Sequence, residues 1–174
     1  MVALQISSMK QFMNHLLVAD TFDRFDLEEA VISTANTFHI DGHINPEFYE
    51  DESVGIADTP SNVVPAVLPE FRPWSELKSI AFDLIKGKRT PLFFRFTLHL
   101  SGAETNALLE REHCDVPAAQ VKALVLNIRY DGATAVLTTA TAYHTFLMSK
   151  EPDTIWDKYL QDYLDAKGIE YILL

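Results

Sequence analysis

From Met9 to Leu17 the apolar residues Met9, Phe12, Met13, Leu16 and Leu17 recur every three or four positions, which gathers them on one face of a helix. A short apolar run, VALQI at 2–6, precedes them, and Ser8 and Gln11 have capping-box spacing. A first strand and then a helix from Ser8 to about Asp20 are expected. Leu77, Ile80, Ala81, Leu84 and Ile85 repeat the stripe, predicting a helix capped by Ser75 and stopped at Gly87 after Lys86. A third stripe runs through Ile155, Trp156, Tyr159, Leu160, Tyr163 and Leu164, with Asp153 or Thr154 as the cap and Gly168 as the stop. Ser101 and Glu104 suit a short helix through Leu108 and Leu109.

The period changes to two in PLFFRFTLHL (91–100), where Leu92, Phe94, Phe96, Leu98 and Leu100 alternate with Phe93, Arg95, Thr97 and His99. This predicts a strand with one buried face. Leu27 to Ile40 is rich in β-branched and aromatic residues, and Asp41-Gly42 offers a tight turn, giving strand, turn and short strand. Asp131-Gly132 lies between Lys122–Tyr130 and Ala133–Phe146 as the strongest hairpin signal in the chain. A two-residue turn there pairs Tyr130 with Ala133, Ile128 with Ala135 and Leu126 with Leu137, and sets Arg129 against Thr134. IEYILL (169–174) returns as a strand.

Residues 46–73 break both periods, with Glu50, Asp51 and Glu52 followed by Pro60, Pro65, Pro69 and Pro73. They read as a proline-rich acidic arm on a single domain spanning 1–174. Proline restricts the unfolded chain, and Val63, Val64, Val67, Leu68 and Phe71 supply apolar anchors, so the arm is expected to dock from about Val63 onward. Phe71 and Trp74 should be buried where it meets the second helix. The elements assemble as an α+β fold of six or seven mostly antiparallel strands with helices packed on one face. The element order is loosely similar to a duplicated βαβββ unit of the sliding-clamp kind.

Apolar content of 48% supports a packed core, and no stretch approaches a membrane span. The opening MVALQISSMKQF lacks a basic start and a long apolar run, so it does not read as a signal peptide. The lone Cys114 cannot form an internal disulfide, which points to a reducing cytoplasm. A net charge of −11, from 25 acidic and 14 basic residues, repels nucleic acid and anionic lipid unless a local basic patch prevails.

One such patch exists: Lys86, Lys88 and Arg89 around Gly87, with Arg95 further along. These four are the candidate contact for an anion or an acidic partner. Because the loop follows a helix C-terminus, its dipole favours cations, so the patch is not expected to be a nucleotide site and the bland alternative is a helix stop. Of histidines 15, 39, 43, 99, 113 and 144, His39 and His43 have HxxxH spacing, but a two-residue turn at Asp41-Gly42 sets their rings on opposite sheet faces and only a longer turn would bring them together, so no metal and no cofactor are expected. His113 beside Cys114 is read as a neighbour of an inert thiol rather than its base. The acidic groups Asp20, Asp23, Asp26, Glu28 and Glu29, and Glu50, Asp51 and Glu52, are read as solvated faces. Trp74, Trp156, Tyr159 and Tyr163 are read as core.

DLEEAVISTANTFHIDGHI and WSELKSIAFDLIKGKRTPLFFRFTLHL resemble an uncharacterised family of small proteins from anaerobic Gram-positive bacteria, defined as a domain of unknown function. The resemblance implies a compact cytoplasmic domain and carries no catalytic residue. With no catalytic motif, the expected function is non-catalytic binding, with another protein or a second copy of the chain as partner. The alternative is an enzyme whose site is assembled in space.

Overall fold

A computed structural model describes residues 1–50 and 68–174. In chain order the elements are β1 (Ala3–Ile6), α1 (Met9–Leu17), β2 (Phe25–Ser33), β3 (Thr37–Asp41), α2 (Glu47–Glu50), β4 (Arg72–Pro73), α3 (Trp74–Ile85), β5 (Phe93–Leu100), α4 (Gly102–Arg111), β6 (Val121–Tyr130), β7 (Ala135–Tyr143), α5 (Glu151–Ala166) and β8 (Tyr171–Leu173). The fold is α+β. Among the described residues, eight strands form one antiparallel sheet in the order β3-β2-β5-β6-β7-β1-β8, with β4 also paired to β2. β1 lies between β7 and β8, away from β2 and β3, so the first half of the chain does not form a strand-helix-strand-pair unit of its own.

Alternation decides which face is covered. On β5, Phe94, Phe96, Leu98 and Leu100 are buried, and their cross-strand partners include Ile32, Ala30, Leu27 and Phe25 on β2. On the other side of β5, Phe94, Phe96 and Leu98 pair with Tyr130, Ile128 and Leu126 of β6. Against this apolar face pack Phe12 and Leu16 of α1, Trp74 of α3, Leu108 and Leu109 of α4, and Trp156, Leu160 and Leu164 of α5, in one contiguous cluster. Each such side chain, fully buried, contributes roughly 1.5–3 kcal/mol. The buried indoles also satisfy their N–H groups: Trp74 Nε1 donates to the Leu16 carbonyl and Trp156 Nε1 to that of Val125, both at 2.9 Å. Among the described residues, no helix is long and apolar enough to cross a membrane.

Several local expectations change. The β6–β7 hairpin forms, but Tyr130 pairs with Ala135, Ile128 with Leu137, Leu126 with Thr139 and Arg129 with Val136, two residues from the two-residue-turn register. The cause is Asp131, whose Oδ1 accepts the N–H groups of Ala133 and Thr134 at 3.0 and 2.9 Å and so organises the wider loop 131–134. A shift of two preserves the inward face, so the hydrophobic pattern cannot distinguish the registers. β2 turns into β3 at Thr34–Asn36, where Thr34 N–H donates to Asn36 O, and not at Asp41-Gly42.

Glycine is required at position 42 for a different reason, since a Cβ there would lie 1.8 Å from the Leu27 carbonyl oxygen. The Gly42 N–H donates to Glu28 and its carbonyl accepts from Arg72, so it sits where β3 gives way to β4 along the edge of β2. The caps also differ. Ser8 and Ser101 occupy N-cap positions without side-chain bonds, and Gln11 Nε2 instead donates to the Gly168 carbonyl. α1 stops at Leu17, α3 starts at Trp74 with Pro73 as its cap, and α5 starts at Glu151 with Pro152 in its first turn. Phe71 and Trp74 are buried, as the docking argument requires. Val63, Val64, Val67 and the acidic stretch 51–59 lie outside the described residues.

Candidate functional site

The basic patch and the first two helices meet in a groove of about 600 Å³. Met9, Met13, Leu17 and Val18 of α1 and the following turn line one wall, and Phe82 and Ile85 of α3 line the other. Phe94 and Tyr130, stacked with centroids 4.8 Å apart, close its base. Both stripes are amphipathic, so residues just beyond the buried face of each helix are left at the groove: Val18 is 57% and Phe82 39% exposed. The walls are held together by the Trp74–Leu16 bond and by Lys78, whose Nζ donates to the Ala19 carbonyl at 2.9 Å and to Asp23 at 2.5 Å.

Lys86, Lys88 and Arg89 rim this groove, and Lys10 joins them from α1. Lys86 is partly engaged, 2.7 Å from Asp83 and over the Phe82 ring. Among the described residues, no carboxylate lies within ion-pair distance of Lys10, Lys88 or Arg89. The loop follows the C-terminus of α3, where cations suit the helix dipole. Arg95 does not belong with the other three. It lies between Phe94 and Phe96 on β5, so it points to the opposite sheet face, where it donates to Glu29. Lys10 is missed by linear reading because it arrives from another helix.

That opposite face carries a second constellation. A β-bulge at Leu27–Glu29 turns Glu28 and Glu29 to the same side. Glu29 takes His39 at 2.8 Å as well as Arg95, and Glu28 takes His99 Nε2 at 2.6 Å. Burial alone would raise the Glu29 carboxyl, but the bonds from Arg95 and His39 outweigh it and hold Glu29 below the ordinary carboxylate range. Asp26 is the cross-strand partner of His99. Burial holds its carboxyl above the ordinary range, opposed by the nearby His99.

His99 is only 9% exposed because Phe71 covers it edge-on at 4.8 Å, and His43 packs on Phe71 at 4.5 Å. The cleft beside them, about 250 Å³, is lined by Asp26, Glu70, Phe71, His99 and Lys122 among others. Reading Asp26, Glu28 and Glu29 as a solvated acidic face misses this, since His99 is distant in sequence and the bulge leaves no linear sign.

The remaining candidates separate. His39 pairs with Glu29, and His43 pairs with Asp41 at 2.6 Å. Among the described residues, no three His, Cys, Asp or Glu side chains form a metal-holding group. His113 adopts a positive φ of 53° after α4 and is exposed. Cys114 is half-buried, and its Sγ lies 3.8 Å from Glu151. Burial, with the Glu151 carboxylate adding to it, pushes the thiol up, which suits an unreactive thiol. Trp156, Tyr159 and Tyr163 stack in sequence along α5, with Arg24 over Tyr163.

No curated protein and no solved structure matches this chain. Residues 15–172 match the model of a family of unknown function, DUF5721, and the chain belongs to that family.

Proposed function

We propose that the chain is a protein-interaction module whose α1/α3 groove takes an amphipathic helix with acidic flanks from a partner protein. The observation that carries this is the pairing of an apolar floor with a basic rim, Lys10, Lys86, Lys88 and Arg89, on a chain of net charge −11. An apolar groove between two helices suits the i, i+3, i+4 anchors of a third helix. The rim supplies complementary charge for carboxylates beside those anchors, which governs orientation and encounter rate more than affinity. Met9 and Met13 are unbranched and polarizable, so they adapt to the anchor side chains. The loop that carries the rim runs from the C-terminus of α3 into β5 and so offers a phosphate no helix N-terminus of its own, which favours side-chain contacts with carboxylates over a nucleotide cradle.

The test is a titration of the isotope-labelled protein with a synthetic helical peptide of leucine anchors and glutamate flanks. Saturable amide shifts concentrated in Met9–Val18 and Phe82–Pro91 are expected. Shifts scattered over the sheet, or no saturation, would overturn the reading. A concentration-dependent mass without peptide would identify a second copy of the chain as the occupant in place of another protein.

A further inference from the structure

We infer that the cleft beside His99 is a binding site for a small organic cation bearing a primary ammonium group. The site is independent of the groove, since its walls come from β2, β5, β6 and residues 69–71 on the sheet's other face. Its charge settles the class of ligand. Glu70 and Lys122 offset each other across a loose 3.7 Å pair at the rim. Glu28 is matched by His99 only when the ring is protonated. Asp26 is left over in either case, so the five groups sum to a net negative charge whichever state His99 takes.

Asp26 is a half-buried carboxylate with no hydrogen bond or ion pair of its own among the described residues. Withdrawing such a group from water is unfavourable unless something pairs with it, and an ammonium would. A second observation agrees. His99 is nine-tenths buried and lines the cleft, yet Glu28 engages only its Nε2, leaving Nδ1 without a partner among the described residues. When the ring is neutral and donates its Nε2–H to Glu28, Nδ1 carries a lone pair that accepts a second N–H from the same ammonium. Phe71, fixed between His43 and His99, gives the cleft an apolar wall against which a short alkyl chain can rest. A volume of about 250 Å³ admits a small amine and excludes a drug-sized ligand.

The experiment follows amide shifts of residues lining the cleft while butylammonium, tetramethylammonium or butanoate is added. Butylammonium is expected to saturate, tetramethylammonium to bind more weakly because it has no N–H to donate, and butanoate to leave the cleft unchanged. Asp26→Asn keeps the side-chain size and removes the unmatched charge, so it should fold and bind butylammonium on the order of tenfold more weakly. His99→Leu removes the second acceptor while Asp26 still takes one N–H, so it should narrow the preference for butylammonium over tetramethylammonium. Failure of butylammonium to saturate the wild type, equal affinity for Asp26→Asn, or preferential binding of butanoate would each overturn the inference.

Discussion

Trp74 donates its indole N–H to the Leu16 carbonyl at 2.9 Å, tying the first residue of α3 to the last turn of α1. The bond fixes the separation of the two helices that wall the groove. Trp74→Phe keeps an aromatic ring in the core but leaves a buried carbonyl without this donor. A loss of about 1–3 kcal/mol is expected in urea unfolding. A change well under 0.5 kcal/mol would show that the carbonyl is satisfied elsewhere.

Gly42→Ala should be far more damaging than Gly102→Ala. The first places a Cβ 1.8 Å from a backbone oxygen of β2, where no flexible side chain can yield, whereas the second meets nothing within 4 Å. Overpacking predicts a loss of about 1–3 kcal/mol or more for Gly42→Ala. Gly102→Ala, at the first position of α4, should be neutral or slightly stabilising. Comparable unfolding midpoints for the two variants would contradict the close approach of β3 to the bulge.

Trp74 and Gly42 mark how far the sequence can be read. Alternation through Phe94, Phe96 and Leu98 reveals β5, and helical spacing reveals α1, α3 and α5, because burial acts on side chains in a periodic order. Both Asp-Gly pairs read as two-residue turns from backbone preference alone. At Asp131 the side chain bonds two N–H groups and widens the loop, and at Gly42 tertiary crowding is what demands glycine. Neither cause is visible in a dipeptide. The groove is partly legible, since Lys86, Lys88 and Arg89 fall in one short stretch around Gly87, while Lys10 depends on packing and Arg95 is removed by strand parity. The Asp26–His99 cleft is not legible, because it depends on strand pairing and a bulge.

Stability should depend on pH through Asp26. Its folded carboxyl titrates above the ordinary range, chiefly through burial, so the folded state holds the proton more tightly than the unfolded state. Stability from this group is complete below the ordinary aspartate value of about 4 and is lost as pH rises through the raised value. Asp26→Asn removes that loss. Urea midpoints should therefore favour the variant at neutral pH and converge with the wild type as pH falls below about 4. A variant less stable than the wild type at neutral pH would show that the charged carboxylate has a stabilising partner.

Asp131→Ala should weaken the β6–β7 hairpin, because two backbone N–H groups lose their acceptor. Amide exchange of Ala133 and Thr134 should accelerate, and the unfolding midpoint should fall. Unchanged exchange at both residues would show that backbone pairing alone holds the loop at 131–134.

The groove reading is tested most directly by exchanging charge between the rim and its ligand. The affinity of the leucine-anchored helical peptide, with glutamate or with lysine flanks, is measured against the wild type and against Lys88→Glu/Arg89→Glu. The account predicts that the wild type prefers the glutamate peptide and that the double variant binds it on the order of tenfold more weakly. The same variant should gain affinity for the lysine peptide, and added salt should narrow both differences. Equal affinity of the wild type for the two peptides, or an unchanged preference in the double variant, would contradict it.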